Sequence, residues 1–286
     1  MTNRDDNGPT ILASAASSVP VGLTIGSSDS SGGAGIQGDI KAMAAVGCYA
    51  ATVVVGVTAQ NTNGIMDRFT VPVDTVLTQL DAVLSDIDVD AIKVGMTWSA
   101  AHIQAVAERL GELDTPIVVD PVMVTAAGAK LAGACAVDAV RRWLFPIATV
   151  ITPNISEARM LTGLSDGTPC EMAERLVEFG AAAAVVTCGG VDGGEWYAED
   201  AISHELFRPG YVTGAEHGAG CSHSALLTGL LASGTPTRVA AEQATQLAAE
   251  GVRAGLISVG NGVHPVDMLG IGQTYQRRKS KIVNSS

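Results

Sequence analysis

Short β-branched runs alternate along the chain with longer stretches of helical period, the pattern of a parallel sheet covered on both faces. The runs predict strands at Val21–Ile25, Ala51–Val57, Ala91–Val94, Ile117–Val119, Thr149–Ile151 and Ala184–Thr187. Between them, Val73, Val76, Leu77, Leu80, Val83 and Leu84 recur in steps of three and four, so Val73–Ile87 carries one apolar stripe and reads as a covering helix. Similar stripes predict helices at Ala100–Leu113, Cys135–Leu144, Ala219–Leu231 and Thr237–Ile257, the last rich in alanine. Glu195–Phe207 alternates weakly and predicts a small antiparallel edge. No repeat and no interdomain linker interrupts the pattern. The fold expected is α/β, three-layered, with a mostly parallel central sheet: one domain over residues 20–270, a disordered leader at 1–19 and a basic tail at 271–286.

Composition sharpens this picture. With 286 residues, 47% of them hydrophobic, the chain can build a large core. All 29 acidic residues precede Gln273, while Arg277, Arg278, Lys279 and Lys281 close the chain, so an acidic body ends in a short basic segment. A body of that sign disfavours a nucleic-acid partner, because counterion release needs a basic face. Ala42–Ala59 is free of charge for eighteen residues but is built of Ala, Gly, Thr and Val and broken at Gly47. It reads as a helix end and a buried strand, not a membrane span. The five cysteines form no CxxC pair, which favours a reduced, cytoplasmic chain.

Four segments carry chemistry. Gly26–Asp39 follows the first strand, and Gly33, Gly35 and Gly38 satisfy GxGxxG. A dinucleotide site also needs an acid at the end of the second strand, and Tyr49–Gln60 holds none. The alternative is a tight strand-to-helix turn. His217–Cys221 opens an apolar helix with Gly218 and Gly220 beside Ala219, so consecutive N–H groups form an anion site. Cys221 at that terminus is expected to have a lowered pKa and thiolate character; a Cys221 nucleophile with His217 or His223 as base is the acyl-transfer rival, without a separate acid to orient the histidine. Asp120, ending one strand, and Asn154 with Glu157, at i and i+3 after the next, are oxygen donors suited to Mg²⁺, though each alone is equally a helix cap. Their placement beside an anion-binding helix end points to phosphoryl transfer.

These segments, TIGSSDSSGGAGIQGD, TAQNTNG, KVGM, VVDPVMV, ITPNISEARMLTG and HGAGCSHSA, in this order and spacing, resemble the hydroxymethylpyrimidine and phosphomethylpyrimidine kinases of thiamine biosynthesis, members of the ribokinase-like superfamily. The resemblance implies a ribokinase-like fold and ATP-dependent phosphorylation, with Mg²⁺, of 4-amino-5-hydroxymethyl-2-methylpyrimidine and then of its monophosphate. It implies that Gln60 hydrogen-bonds the pyrimidine, that Met96 and Val122 line its faces, and that Gly218, Ala219, Gly220 and Cys221 form the anion hole, with Cys221 where sugar-kinase relatives carry an aspartate base. Asp29 and Asp39 lie in the segment closing the pocket and are equally loop or helix caps. Thr187, Gly189 and Gly190 belong to the nucleotide segment. Three departures stand out: Ser27 replaces a family glycine, Cys188 and Val191 replace a lysine and a histidine, and Ala219 replaces a threonine. A homodimer is expected, with the small pyrimidine and ATP as ligands and no membrane partner. The alternatives are a pyridoxal-type vitamin kinase and a pyrimidine-binding sensor that has lost turnover.

Overall fold

The computed structural model describes residues 18–123, 134–188, 195–206 and 215–283. Among the described residues nine strands form one sheet in the order β3-β2-β1-β4-β5-β6-β7-β8-β9. The parallel body comprises β1 (Val21–Asp29), β2 (Tyr49–Asn61), β4 (Ala91–Val94), β5 (Ile117–Val119), β6 (Val150–Ile151) and β7 (Ala183–Val186). Antiparallel strands close both edges: β3 (Gly64–Thr70) on β2, and the hairpin β8 (Trp196–Glu199) and β9 (Ile202–Glu205) on β7. The hairpin is the edge that Glu195–Phe207 predicts. β3 is an addition, since Gly64–Thr70 is largely exposed and lacks the alternation of a half-buried strand.

Helices cover both faces. One face packs α1 (Gly35–Ala45), α7 (Ala219–Ala232) and α8 (Thr237–Arg253) on a core that includes Met43, Val118, Val185, Leu226 and Ala244. The other packs α2 (Val73–Leu84), α3 (Ala100–Leu110), α4 (Ala134–Ala139), α5 (Ile155–Thr162) and α6 (Pro169–Glu178) on Ile25, Val53, Leu80, Val106, Phe145 and Leu176. The expected helix Cys135–Leu144 is split: α4 runs into a π turn at Val140–Leu144 and a 3₁₀ turn at Phe145–Ile147, where Pro146 withholds a backbone donor. α6 has a capping box between Thr168 and Glu171 with Pro169 in the first turn. The basic segment is helical as α9 (Ile271–Val283), started by Asp267, whose two oxygens accept from the Ile271 and Gly272 N–H groups at 2.9 Å each.

The chain leaves β1 toward β2 and β3 on one side and returns to β4 on the other. Strand order therefore reverses at β1/β4, and crevices form at such points beyond the strands' carboxyl ends.

Candidate active site

The carboxyl ends of the central strands and the amino end of α7 enclose one cavity of about 590 Å³. Its wall brings together all the sequence-predicted site residues that lie within the described regions; Gly189 and Gly190 lie outside them. At the substrate end stand Ser27, Gln60, Met96 and Val122. The register shifts opposite Gly26/Ser27, where Val55 of β2 is the extra residue, and opposite Ala59/Gln60, where Met66 of β3 is the extra residue, irregularities of the kind found beside sites. The Gln60 backbone is pinned from both sides by Ser30 Oγ, which donates to its carbonyl at 2.7 Å and accepts from its N–H at 2.8 Å. Its amide lies beside Thr58 Oγ1 at 3.1 Å. The serine that replaces the family glycine is absorbed: Ser27 Oγ donates to the Met96 carbonyl at 3.3 Å.

At the anion end, α7 begins at Gly218, whose φ of 84° lies in the left-handed region. A Cβ there would stand 1.9 Å from the Gly33 carbonyl oxygen, so this turn and the glycine-rich turn after β1 touch backbone to backbone. The glycine-rich segment is thus a close-packed strand-to-helix turn, not a dinucleotide clamp. No acidic residue stands in the first turn of α7, leaving the N–H groups of Gly220 and Cys221 at the positive end of a fourteen-residue helix; the Ala219 N–H, expected in the same cradle, instead donates to the Glu216 carbonyl at 3.0 Å and closes the turn into the helix.

The expectation of a Cys221 thiolate is overturned. Burial pushes the thiol up to about 12, and Asp120 and Asp39 add to the rise, against the opposing pull of Lys93 and of a Gly35 N–H directed at the sulfur. Low dielectric and two carboxylates outweigh the helix terminus. The acyl-transfer reading loses its nucleophile accordingly, and His217 and His223 are engaged elsewhere: His217 Nε2 lies 2.9 Å from Asp29 Oδ2, and His223 Nε2 lies 3.3 Å from Thr245 Oγ1.

Asp29 and Asp39 take the structural side of the choice the sequence leaves open. Asp29 accepts from the Ser31 N–H at 2.8 Å and the Ala34 N–H at 2.9 Å besides meeting His217. Burial alone raises its pKa, but the hydrogen bonds from His217, Ser31 and Ala34 together hold it below the usual carboxylate range. Asp39 accepts from Thr24 Oγ1 at 2.6 Å and is ion-paired to Lys93. Asn154 and Glu157 close a capping box on α5, with Glu157 Oε1 also accepting from the Met123 N–H at 3.0 Å. Asp120 Oδ2 accepts from Ser224 Oγ at 2.8 Å.

Sequence reasoning missed Lys93. It sits on β4, 1% exposed, donates to the Cys221 carbonyl at 3.0 Å and lies 3.5 Å from Asp120 Oδ2. Its signal was a lysine inside the four-residue strand AIKV, every position of which is buried. Cys188, in the family's lysine position, is buried in the core with its thiol 3.8 Å from the Val186 carbonyl oxygen.

Comparison with solved structures agrees with this geometry. A pyridoxal kinase from Bacillus subtilis, solved as an ADP complex, superposes with a TM-score of 0.81 at 30% identity, covering 89% of this chain and 99% of that one. A phosphomethylpyrimidine kinase from Clostridium difficile superposes with a TM-score of 0.71 at 32% identity, covering 80% and 98%. The fold and the cavity define a ribokinase-like small-molecule kinase. The family model described as phosphomethylpyrimidine kinase matches residues 29–267, and a hydroxymethylpyrimidine/phosphomethylpyrimidine kinase from Streptomyces coelicolor is 38% identical over 253 residues, 87% of this chain and 94% of that protein. The chain belongs to the phosphomethylpyrimidine kinase family.

Proposed function

We propose that this kinase transfers the γ-phosphoryl group of ATP to the hydroxymethyl group of 4-amino-5-hydroxymethyl-2-methylpyrimidine and then phosphorylates the monophosphate, in thiamine biosynthesis. The observation that carries this is the single cavity in which the Gln60 amide and the N–H groups at the start of α7 face one space. A neutral amide both donates and accepts, as the pyrimidine's amino and ring nitrogens require, and Met96 and Val122 supply its apolar walls. In transfer, the bond from the γ-phosphorus to the ADP oxygen breaks, the substrate oxygen bonds to phosphorus, and the N–H groups of Gly220 and Cys221 stabilise the charge on the moving group. In a loose transition state the hydroxyl gives up its proton late, to a phosphoryl oxygen, so the neutral Cys221 thiol is not asked to accept it.

Asp120, Asn154 and Glu157 offer oxygen donors, the set Mg²⁺ prefers. Because Asn154 and Glu157 already accept backbone N–H groups of α5, they fit a hydrated ion held through its waters, with Asp120 as the charged ligand. The ion would neutralise charge on the nucleotide phosphates. Among the described residues no helix is long and apolar enough to cross a membrane, and all five cysteines are free, which supports a reducing, cytoplasmic setting. We take the assembly to be a homodimer; light scattering tests this.

The test is incubation with ATP, Mg²⁺ and the hydroxymethylpyrimidine, read by chromatography. Mono- and then diphosphate is expected, and a folded protein that transfers no phosphate refutes the reading. Similarity to a pyridoxal kinase favours one second reading, so parallel rates on pyridoxine and on the pyrimidine decide the substrate.

A further inference from the structure

We propose that Lys93 is a positioning residue of the phosphoryl-transfer site, holding the first turn of α7 and the Asp120 carboxylate in register beneath the transferring phosphate. An ion-pair partner for Asp39 needs only one acceptor, whereas Lys93 serves three elements at once. From β4 it reaches the Asp39 carboxylate on α1, the Cys221 carbonyl in α7 at 3.0 Å and Asp120 Oδ2 beyond β5 at 3.5 Å. Ser224 closes the figure, lying 2.8 Å from Asp120 Oδ2 and 3.0 Å from the same Cys221 carbonyl. A helix carbonyl is ordinarily satisfied by one N–H four residues on. That of Cys221 is also bound by an ammonium group, so the turn presenting the Gly220 and Cys221 N–H groups is fixed from below.

Charge adds a second consequence. Among the described residues Lys93 is the cation paired with two carboxylates, Asp39 and Asp120, and all three border the cavity that the anion must enter. Without it, both carboxylates would face the helix terminus uncompensated, and negative potential would oppose the nucleotide phosphates and the phosphate of the second acceptor. The inference rests on the proposed phosphoryl transfer for the identity of the anion.

The test must separate this role from that of a structural ion pair. Lys93→Met alone leaves a buried charge without a partner and is expected to unfold readily. Lys93→Met with Asp39→Asn removes both ends of the pair while Thr24 still bonds the residue at 39. If Lys93 positions the site, the double variant folds but loses about 100-fold in kcat, the scale of a misplacement near 1 Å, while KM for the pyrimidine stays within about threefold because Gln60 is untouched. Inorganic phosphate, which is expected to raise the wild-type Tm by mass action, should no longer raise that of the variant. Lys93→Arg keeps the charge and moves its point of contact, and is expected to fold with kcat down about tenfold. Wild-type kcat and a wild-type phosphate response in the double variant, or wild-type kcat in the arginine variant, overturn the proposal. The phosphate response needs no turnover. A wild type that binds phosphate but phosphorylates no pyrimidine therefore refutes the substrate, while Lys93 is still judged by the response of its variants.

Discussion

His217 Nε2 lies 2.9 Å from Asp29 Oδ2 across 188 residues of chain, and this contact ties the turn after β1 to the mouth of α7. Ser31 Oγ adds a bond to Asp29 at 2.8 Å and lies 3.2 Å from the same histidine nitrogen. A Cβ on Gly33 would meet His217 Cδ2 at 2.1 Å, so the glycine admits the imidazole that makes the tie. Substrate wall and anion cradle are thereby one rigid unit before any ligand enters, the preorganisation that oriented transfer requires.

Asp29→Asn tests that tie through pH. Burial and the bonds from His217, Ser31 and Ala34 leave the folded pKa of Asp29 below its unfolded value near 3.9. A depressed carboxylate contributes stability that is fully present above the unfolded pKa and is lost as pH falls through the folded one. The variant should be less stable than wild type by roughly 1–3 kcal/mol at pH 6, since an amide cannot accept from all these donors. The gap should narrow as pH falls below the unfolded value and through the lower folded one. Denaturant titrations at pH 6 and pH 3 measure it, and a gap independent of pH would show that the Asp29 charge contributes nothing.

Gln60→Leu keeps volume and removes both hydrogen-bonding functions. The pyrimidine's polar edge then lies unpaired, at a cost of roughly 1–3 kcal/mol. KM for the pyrimidine should rise at least about tenfold with Tm little changed, because Ser30 still grips the backbone of residue 60 and Thr58 Oγ1, which loses the Gln60 amide oxygen, still donates to the Ser28 carbonyl. An unaltered KM would move the substrate out of this end of the cavity.

What the sequence reveals here follows from how each residue is used. β4 and β5 are legible to the residue because every position is buried, which makes short apolar runs between turns, interrupted in β4 only by Lys93. β3 is hidden because only its pairing with β2, and no buried face of its own, makes it a strand. α6 carried a legible signal in Thr168-Pro169-Cys170-Glu171 that periodicity alone overlooks. In the site, motif spacing gathers Gln60, Met96, Asp120 and Cys221 into one cavity. It gives no hint that Lys93 joins Asp39, 54 residues before it, to Cys221, 128 residues after it, since a lone lysine in a strand does not name its partners. Nor could the helix-terminus argument foresee the protonated thiol, whose first cause is burial, with the carboxylates of Asp120 beyond β5 and Asp39 on α1 adding to it.

Glu157→Gln separates cap from metal. Glu157 is 3% exposed, and its two oxygens accept N–H groups from Met123 and Asn154 at 3.0 Å each. Glutamine has one acceptor oxygen, so its NH₂ must face one of these donors, and stability should fall by roughly 1–3 kcal/mol. Loss of the charge should also raise the Mg²⁺ concentration needed for half-maximal rate. A lower Tm with an unchanged Mg²⁺ titration would confine Glu157 to capping α5.

The Cys221 side chain and its backbone are predicted to matter differently. With the thiol pushed up to about 12, less than about one part in 10⁴ is thiolate at pH 7. A rate that depended on that fraction would climb tenfold per pH unit between pH 7 and pH 9, and a flat kcat for the first step is expected instead. Cys221→Ala keeps the N–H and the carbonyl that Lys93 grips, so both phosphorylations should fall together and by less than about tenfold, below the usual range for a lost general base. Cys221→Asp brings a third carboxylate against Asp39 and Asp120, which already share Lys93. That charge sits beside the N–H groups meant for phosphate, so both steps should fall further than with alanine, the second most, because its acceptor is itself anionic. Single-turnover rates with each acceptor measure all three proteins. A steep pH dependence in wild type, together with an alanine variant crippled only in the first step, would restore Cys221 as the base.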